Sequence, residues 1–192
     1  MIEVIKKIRQ ETGVSLALCK KALEEAGQDA EKAKELLRKW GQELAGKRSG
    51  RGTSQGVIEA YIHSNKKIGA LVDLRCETDF VAKNKDFQEL AHEIALQVAA
   101  MNPLYLRAED IPPQVIEKEK EGYQEQMAKE KKPKEIMDKI IEGKLEKFRK
   151  EVCLFSQPYV RDPGMTIQDL INNTIAKMGE NINLEKFIRF EI

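Results

Sequence analysis

Residues 115–152 carry 11 basic and 10 acidic side chains, and most of the remaining positions are good helix formers. The single proline of this stretch, Pro133, sits near its middle. Proline fits the first turn of a helix and breaks an interior, so residues 131–133 are expected to turn the chain between two antiparallel helices. The apolar residues mirror one another about that turn: Met127 with Met137, Tyr123 with Ile141, and Ile116 with Phe148. We therefore expect a projecting antiparallel helical hairpin over residues 114–152, with one apolar seam and arms of about 27 Å. Gly122 and Gly143 are also nearly symmetric. Because a mid-helix glycine costs about 1 kcal/mol, their facing positions suggest a close backbone crossing. The pattern suits either a solvated hairpin or an arm that touches a partner.

The first 40 residues are punctuated differently. Ile2, Ile5 and Ile8 share a helical face, and Thr12 with Gly13 stops that helix, glycine suiting the left-handed cap. Ser15 can cap a second helix with Leu18, Ala22, Leu23 and Ala26 inward and Gly27 at its end. Asp29 can cap a third, with Ala33, Leu36, Leu37 and Trp40 as its stripe and Gly41 as its stop. The short joints oblige these helices to pack on one another. Residues 1–44 thus read as a three-helix module, which resembles the ubiquitin-associated type of fold. Residues 45–56 hold four glycines, two serines, Lys47, Arg48 and Arg51, with no carboxylate. That is the composition of a flexible linker. A phosphate-binding loop would call for a preceding strand or a GK[ST] ending, and neither is there.

Strand chemistry follows. Ile68, Ala70, Val72, Leu74 and Cys76 alternate with Gly69, Leu71, Asp73, Arg75 and Glu77, the period of a half-buried strand. Residues 57–62 form a second strand and residues 63–67 the hairpin loop between the two. Ile188, Phe190 and Ile192 alternate again near the end. Helical stripes lie between: Phe87, Leu90, Ala91, Ile94, Val98 and Met101, then Ile167, Leu170, Ile171, Ile175 and Met178, opened by Thr166 and closed by Gly179. The expected class is α+β, with residues 57–192 forming an antiparallel sheet core that carries helices on one face.

Charge narrows the function. Thirty-three Lys and Arg against 32 Asp and Glu give a net charge of +1. A nucleic-acid partner is disfavoured by this balance, since phosphate neutralisation wants a basic surplus. No apolar run approaches the roughly 20 residues that span a bilayer, and Glu3 and Lys6 interrupt any secretory leader. Cys19, Cys76 and Cys153 are far apart and read as reduced core thiols of a cytoplasmic protein. No GxSxG elbow, P-loop or GxGxxG occurs, and His63 and His92 have no cysteine or carboxylate companions at metal-ligand spacing. Glu77 and Asp79, at the exit of a strand, suit helix capping better than acid–base catalysis. We expect no catalytic residue, metal ligand or cofactor.

The segment CETDFVAKN, residues 76–84, stands apart. A strand ends at Cys76, Thr78 or Asp79 can cap the next turn, and Phe80 falls in the first turn of a helix. Composition favours Phe80 folding back as a helix-start staple.

These residues also carry a resemblance to a family. TG at residues 12–13, CKKAL at 19–23, ETDFVAKN at 77–84, KPKEI at 132–136, QP at 157–158, GENI at 179–182 and FIRF at 187–190 resemble, in order and spacing, the elongation factor Ts family of bacterial guanine-nucleotide exchange factors. The resemblance spans essentially the whole chain. It implies an exchange factor without covalent chemistry that binds elongation factor Tu. Thr78, Asp79, Phe80 and Val81 would enter that partner's nucleotide-binding domain and dislodge its magnesium ion, so that GDP leaves and GTP binds. The N-terminal module would dock on the same domain through Gly13, Val14, Ser15, Leu16, Ala17 and Leu18, although Ser15 and Leu18 stand where the family pattern has Gly and Asp. The chain is similar to the family's short form, which implies a homodimer and a complex of two factors with two partners. The competing reading is a helical adaptor or chaperone built on the ubiquitin-associated-like module.

Overall fold

The computed structural model describes residues 2–127 and 133–192, which fall into two compact units, residues 1–99 with 168–192 and residues 100–167. In the first unit, α1 (Ile2–Thr12), α2 (Leu16–Glu25) and α3 (Ala30–Arg48) form the expected three-helix bundle. Its core is Ile5, Ile8, Val14, Cys19, Ala22, Leu23, Ala33 and Leu37, with Trp40 packed at the edge. The sequence signals work as capping chemistry demands. Ser15 Oγ accepts the Leu18 amide at 3.4 Å, Asp29 Oδ1 accepts the Glu31 and Lys32 amides at 3.0 and 3.1 Å, and Gly13 and Gly27 take positive φ. Two inward assignments change. Ile2 is exposed, and Cys19 rather than Leu18 fills the core of α2.

The third stop is corrected. α3 does not end at Gly41 but runs on to Arg48, so residues 45–48 of the expected coil are helical and strand begins at Gln55. Gly41 serves a different purpose: a methyl group there would sit 3.5 Å from Ala176 Cβ and 3.6 Å from the Asn172 carbonyl oxygen. It allows α3 to approach another helix closely, α8 (Ile167–Met178). Next to this contact Gln42 donates to Asp169 at 3.0 Å.

β1 (Gln55–Ile62), β2 (Ile68–Cys76) and β5 (Ile182–Glu191) make an antiparallel sheet of order β1-β2-β5. Opposed residues share a face. One face carries Val57, Glu59 and Tyr61 of β1 and the buried Ala70, Val72, Leu74 and Cys76 of β2. α5 (Lys85–Met101) lies on it, with His92 bonded to Glu59 at 3.0 Å and the Ala99 carbonyl accepting Arg189 at 3.1 Å. Phe87, Leu90, Ala91, Ile94 and Val98 are buried, as the stripe predicts, while Met101 is exposed. On the opposite face of the sheet Ile58, Ile62, Leu71, Ile188, Phe190 and Ile192 are exposed among the described residues.

In the second unit, α6 (Pro113–Met127) and α7 (Lys134–Val152) form a helical hairpin whose seam gathers Met127, Ile141 and Leu145, flanked by Ile116, Tyr123, Met137 and Ile140. Pro133 caps α7; the rest of the expected turn, Lys131 and Lys132, lies outside the described residues. The expected close crossing is absent. A methyl group at Gly122 or Gly143 would meet nothing within 4 Å. Two short strands, β3 (Pro158–Tyr159) and β4 (Asp162–Thr166), complete this unit.

All three cysteines are free and fully buried. Burial, reinforced by the charge of Glu180, pushes the Cys76 thiol up to about 11. Only about one part in a thousand is then thiolate at pH 8, the form that reacts. Native protein should therefore resist iodoacetamide at pH 8 over a period in which guanidinium-unfolded protein takes up three labels by mass spectrometry. Rapid labelling of the native chain at Cys76 would overturn this.

Candidate partner-binding site

The expected functional segment begins where β2 leaves the sheet. Its backbone is extended at Thr78 (φ −124°, ψ 156°), and the Thr78 hydroxyl caps α4 (Asp79–Ala82), accepting the Val81 amide at 3.4 Å. This single turn sets the four side chains in different directions. Ala82 is buried, Thr78 and Val81 are half-buried, and Phe80 is 82% exposed. The staple reading is thereby excluded: Phe80 belongs to no core.

An exposed phenylalanine on a loose loop would be unremarkable. This loop is not loose. Thr78 donates its amide to Glu180 Oε2 at 3.0 Å and its hydroxyl to Oε1 at 2.6 Å. Its carbonyl accepts the Cys76 thiol at 3.2 Å and the Ala82 amide at 3.2 Å. One residue earlier, Glu77 accepts the Asn181 amide at 2.6 Å, with Arg51 at 3.5 Å and Arg48 at 3.9 Å. The Asn181 amide, helped by those two arginines, holds the Glu77 carboxyl below its usual range. The Asn181 side chain donates to the Arg51 carbonyl at 2.8 Å.

Glu77 and Asp79 are thus drawn apart rather than paired. Asp79 binds Lys83 at 2.7 Å, one turn along, and that ammonium group lowers its carboxyl below the ordinary value. Asp79 is a solvent-facing carboxylate throughout the neutral range. Among the described residues, no three His, Cys, Asp or Glu side chains gather where they would hold a metal ion, and no helix is long and apolar enough to cross a membrane.

The second expected contact, Gly13 to Leu18, is the joint between α1 and α2. Val14 turns inward and is buried, and its carbonyl accepts the Cys19 thiol at 3.5 Å. Leu16, Ala17 and Leu18 face solvent on the first turn of α2. Gly13 (φ +69°) lies under Lys177 of α8, whose side chain would be 3.1–3.2 Å from an added Cβ. Lys177 in turn pairs with Asp86 of α5 at 2.7 Å. Sequence reasoning missed Arg48, Arg51 and Glu180 as supports of the 78–81 loop. The two arginines lay in what read as coil, and Glu180 was only a letter of the GENI motif.

Comparison with known proteins places the whole chain in a family. The family described as Elongation factor TS matches residues 3–192. The elongation factor Ts of Thermotoga petrophila is 54% identical over 191 residues, covering 100% of this chain and 95% of that protein. That of Carboxydothermus hydrogenoformans is 50% identical over 190 residues, covering 99% and 88%. That of Coprothermobacter proteolyticus is 54% identical over 189 residues, covering 98% and 96%.

Proposed function

Because the chain belongs to the elongation factor Ts family and so acts as a nucleotide exchange factor in translation elongation, we propose that it works through the loop of Thr78, Asp79, Phe80 and Val81. Its partner is elongation factor Tu. Phe80, held out in water on a fixed turn, acts as an apolar wedge between side chains of the partner's nucleotide-binding domain. Asp79, ionised beside it, competes for the hydrogen bonds that support the partner's magnesium ion. That ion neutralises the nucleotide phosphates, so dislodging it loosens GDP. By linkage, a factor that weakens nucleotide binding tenfold is itself weakened tenfold by nucleotide, about 1.4 kcal/mol each way. Incoming GTP then expels the factor. The cycle needs no covalent step. The observation that carries this reading is the 82% exposure of Phe80 on a turn fixed by the Thr78 hydrogen bonds.

The ubiquitin-associated-type module adds a second contact through Gly13 to Leu18, with Leu16, Ala17 and Leu18 as its exposed apolar surface and Gly13, Val14 and Ser15 setting its shape. The whole acts in the cytoplasm as a homodimer that binds two partners. The exposed sheet face supports the pairing. Six large apolar side chains there stand open to water, and Ile62, Ile68, Leu71, Phe190 and Ile192 line a groove of about 280 Å³. Covering each such side chain contributes up to about 1.5–3 kcal/mol, and a face offered by every copy suits a two-fold interface.

Release of a fluorescent GDP analogue from elongation factor Tu tests the function. Substoichiometric protein should accelerate release many-fold. Binding that leaves the release rate unchanged would favour the adaptor reading, which family membership along the whole chain already disfavours.

A further inference from the structure

We propose that Glu180 is a positioning residue for nucleotide exchange, the group that sets where Phe80 and Asp79 point; this rests on the reading of the 78–81 loop given above. Phe80 makes no core contact that would fix it, being 82% exposed. Its direction is decided by the backbone turn beneath it, and that turn is decided at Thr78. Both of the donors on Thr78 end on one carboxylate: the amide on Glu180 Oε2 at 3.0 Å and the hydroxyl on Oε1 at 2.6 Å. A hydroxyl that gives its proton to Glu180 turns its lone pairs toward the Val81 amide, which it caps at 3.4 Å. Glu180 therefore orients the cap as well as the entry to the loop.

The carboxylate is itself well placed to hold rather than follow. Glu180 comes directly after Gly179, whose positive φ of +74° ends α8. The next residue, Asn181, repeats the bond in the opposite sense by donating its amide to Glu77. Two adjacent residues on one strand of chain are thus cross-tied to two adjacent residues on the other, Glu180 to Thr78 and Asn181 to Glu77. A charge-assisted pair of this kind is stronger and more directional than neutral hydrogen bonds. A loop fixed in its working shape before binding avoids the ordering cost that a mobile loop would meet on contact. Replacing Glu180 frees the turn, not the chemistry, of the wedge.

A double-mutant cycle separates this role from a general contribution to folding. In the GDP-release assay with the full-length protein, Glu180→Ala should slow stimulated release about tenfold. In a Phe80→Ala background the same change should alter the rate by less than twofold, because there is no wedge left to aim. Glu180→Gln keeps an acceptor for the Thr78 amide and should recover at least a third of the wild-type rate; it also carries the test should Glu180→Ala fail to fold. Thr78→Val, which removes the hydroxyl bond to Glu180 but keeps the amide bond, should slow release by no more than Glu180→Ala does. Wild-type release by Glu180→Ala, or losses that multiply fully in the double variant, would overturn the proposal while leaving the loop reading intact. Wild-type release by Phe80→Ala alone would sink the loop reading and this proposal with it.

Discussion

Phe80→Ala should leave the fold untouched and slow stimulated GDP release about 10- to 150-fold. The stability half of this follows from exposure. A side chain 82% in water makes few contacts to lose, and surface substitutions of this sort usually fall within about 0.5 kcal/mol. For a chain of this size that is a shift of roughly 1–2 °C in Tm. The activity half follows from transfer. Burying a phenylalanine in a partner contributes about 1.5–3 kcal/mol, and each 1.4 kcal/mol is about tenfold in rate when the contact forms only in the complex that releases nucleotide. Thermal unfolding and stopped-flow release on the same preparation check both halves. A variant that melts far lower yet exchanges at the normal rate per folded molecule would show that Phe80 supports the fold instead.

On the proposed pairing, Phe190→Glu should yield a monomer at concentrations where the wild type dimerises. Phe190 stands opposite Gly69 in the β2–β5 register, beside Ile188 on the exposed face, with Ile62 leaning over the same glycine. A two-fold interface counts every substitution twice. Losing one buried phenylalanine per copy removes about 3–6 kcal/mol in total, so the dissociation constant should rise roughly 10²- to 10⁴-fold, before the cost of covering a charge is added. Sedimentation equilibrium over a concentration series reads this directly. The variant should stay folded, because Phe190 is 65% exposed in the single chain. A wild-type monomer at micromolar concentration, or a Phe190→Glu chain that still dimerises as tightly, would refute the assignment of this face.

What could be foreseen from the letters has a common physical basis. Capping and turning are local chemistry, so Ser15, Asp29, Thr78, Gly13 and Gly179 mark boundaries that the structure respects. The hairpin about Pro133 was readable because its seam repeats in mirror order. Misreadings arose where one residue type serves two ends. Gly41 resembles a helix stop, but its use is to let α3 reach Ala176, a residue 135 positions away. Gly122 and Gly143 suggested a crossing that their open surroundings deny. β5 starts at Ile182, six residues before its visible alternation, because Asn183, Glu185 and Lys186 dilute the apolar period and a register shift between Asp73 and Leu74 interrupts the pairing. At the site, the motif located Phe80 but not its direction. That depends on Glu180, 102 positions from Thr78, and separation of that kind leaves no trace in a local pattern.

The continuation of α3 past Gly41 also bears on how the molecule grips its partner. With Gly41 seated on α8, and Lys177 of α8 lying over Gly13 and paired with Asp86, the α1–α2 joint and the Thr78 loop belong to one compact unit. On the proposed reading, two contacts carried by one compact unit behave as a bidentate ligand. Once either has landed, the other is presented at a fixed span instead of searching a volume, and its effective concentration is set by geometry alone. Such a frame gains avidity only from a partner whose own two sites keep the matching distance. On the proposed reading of the two contacts, the packing of Gly41 against Ala176 helps to set the span between them.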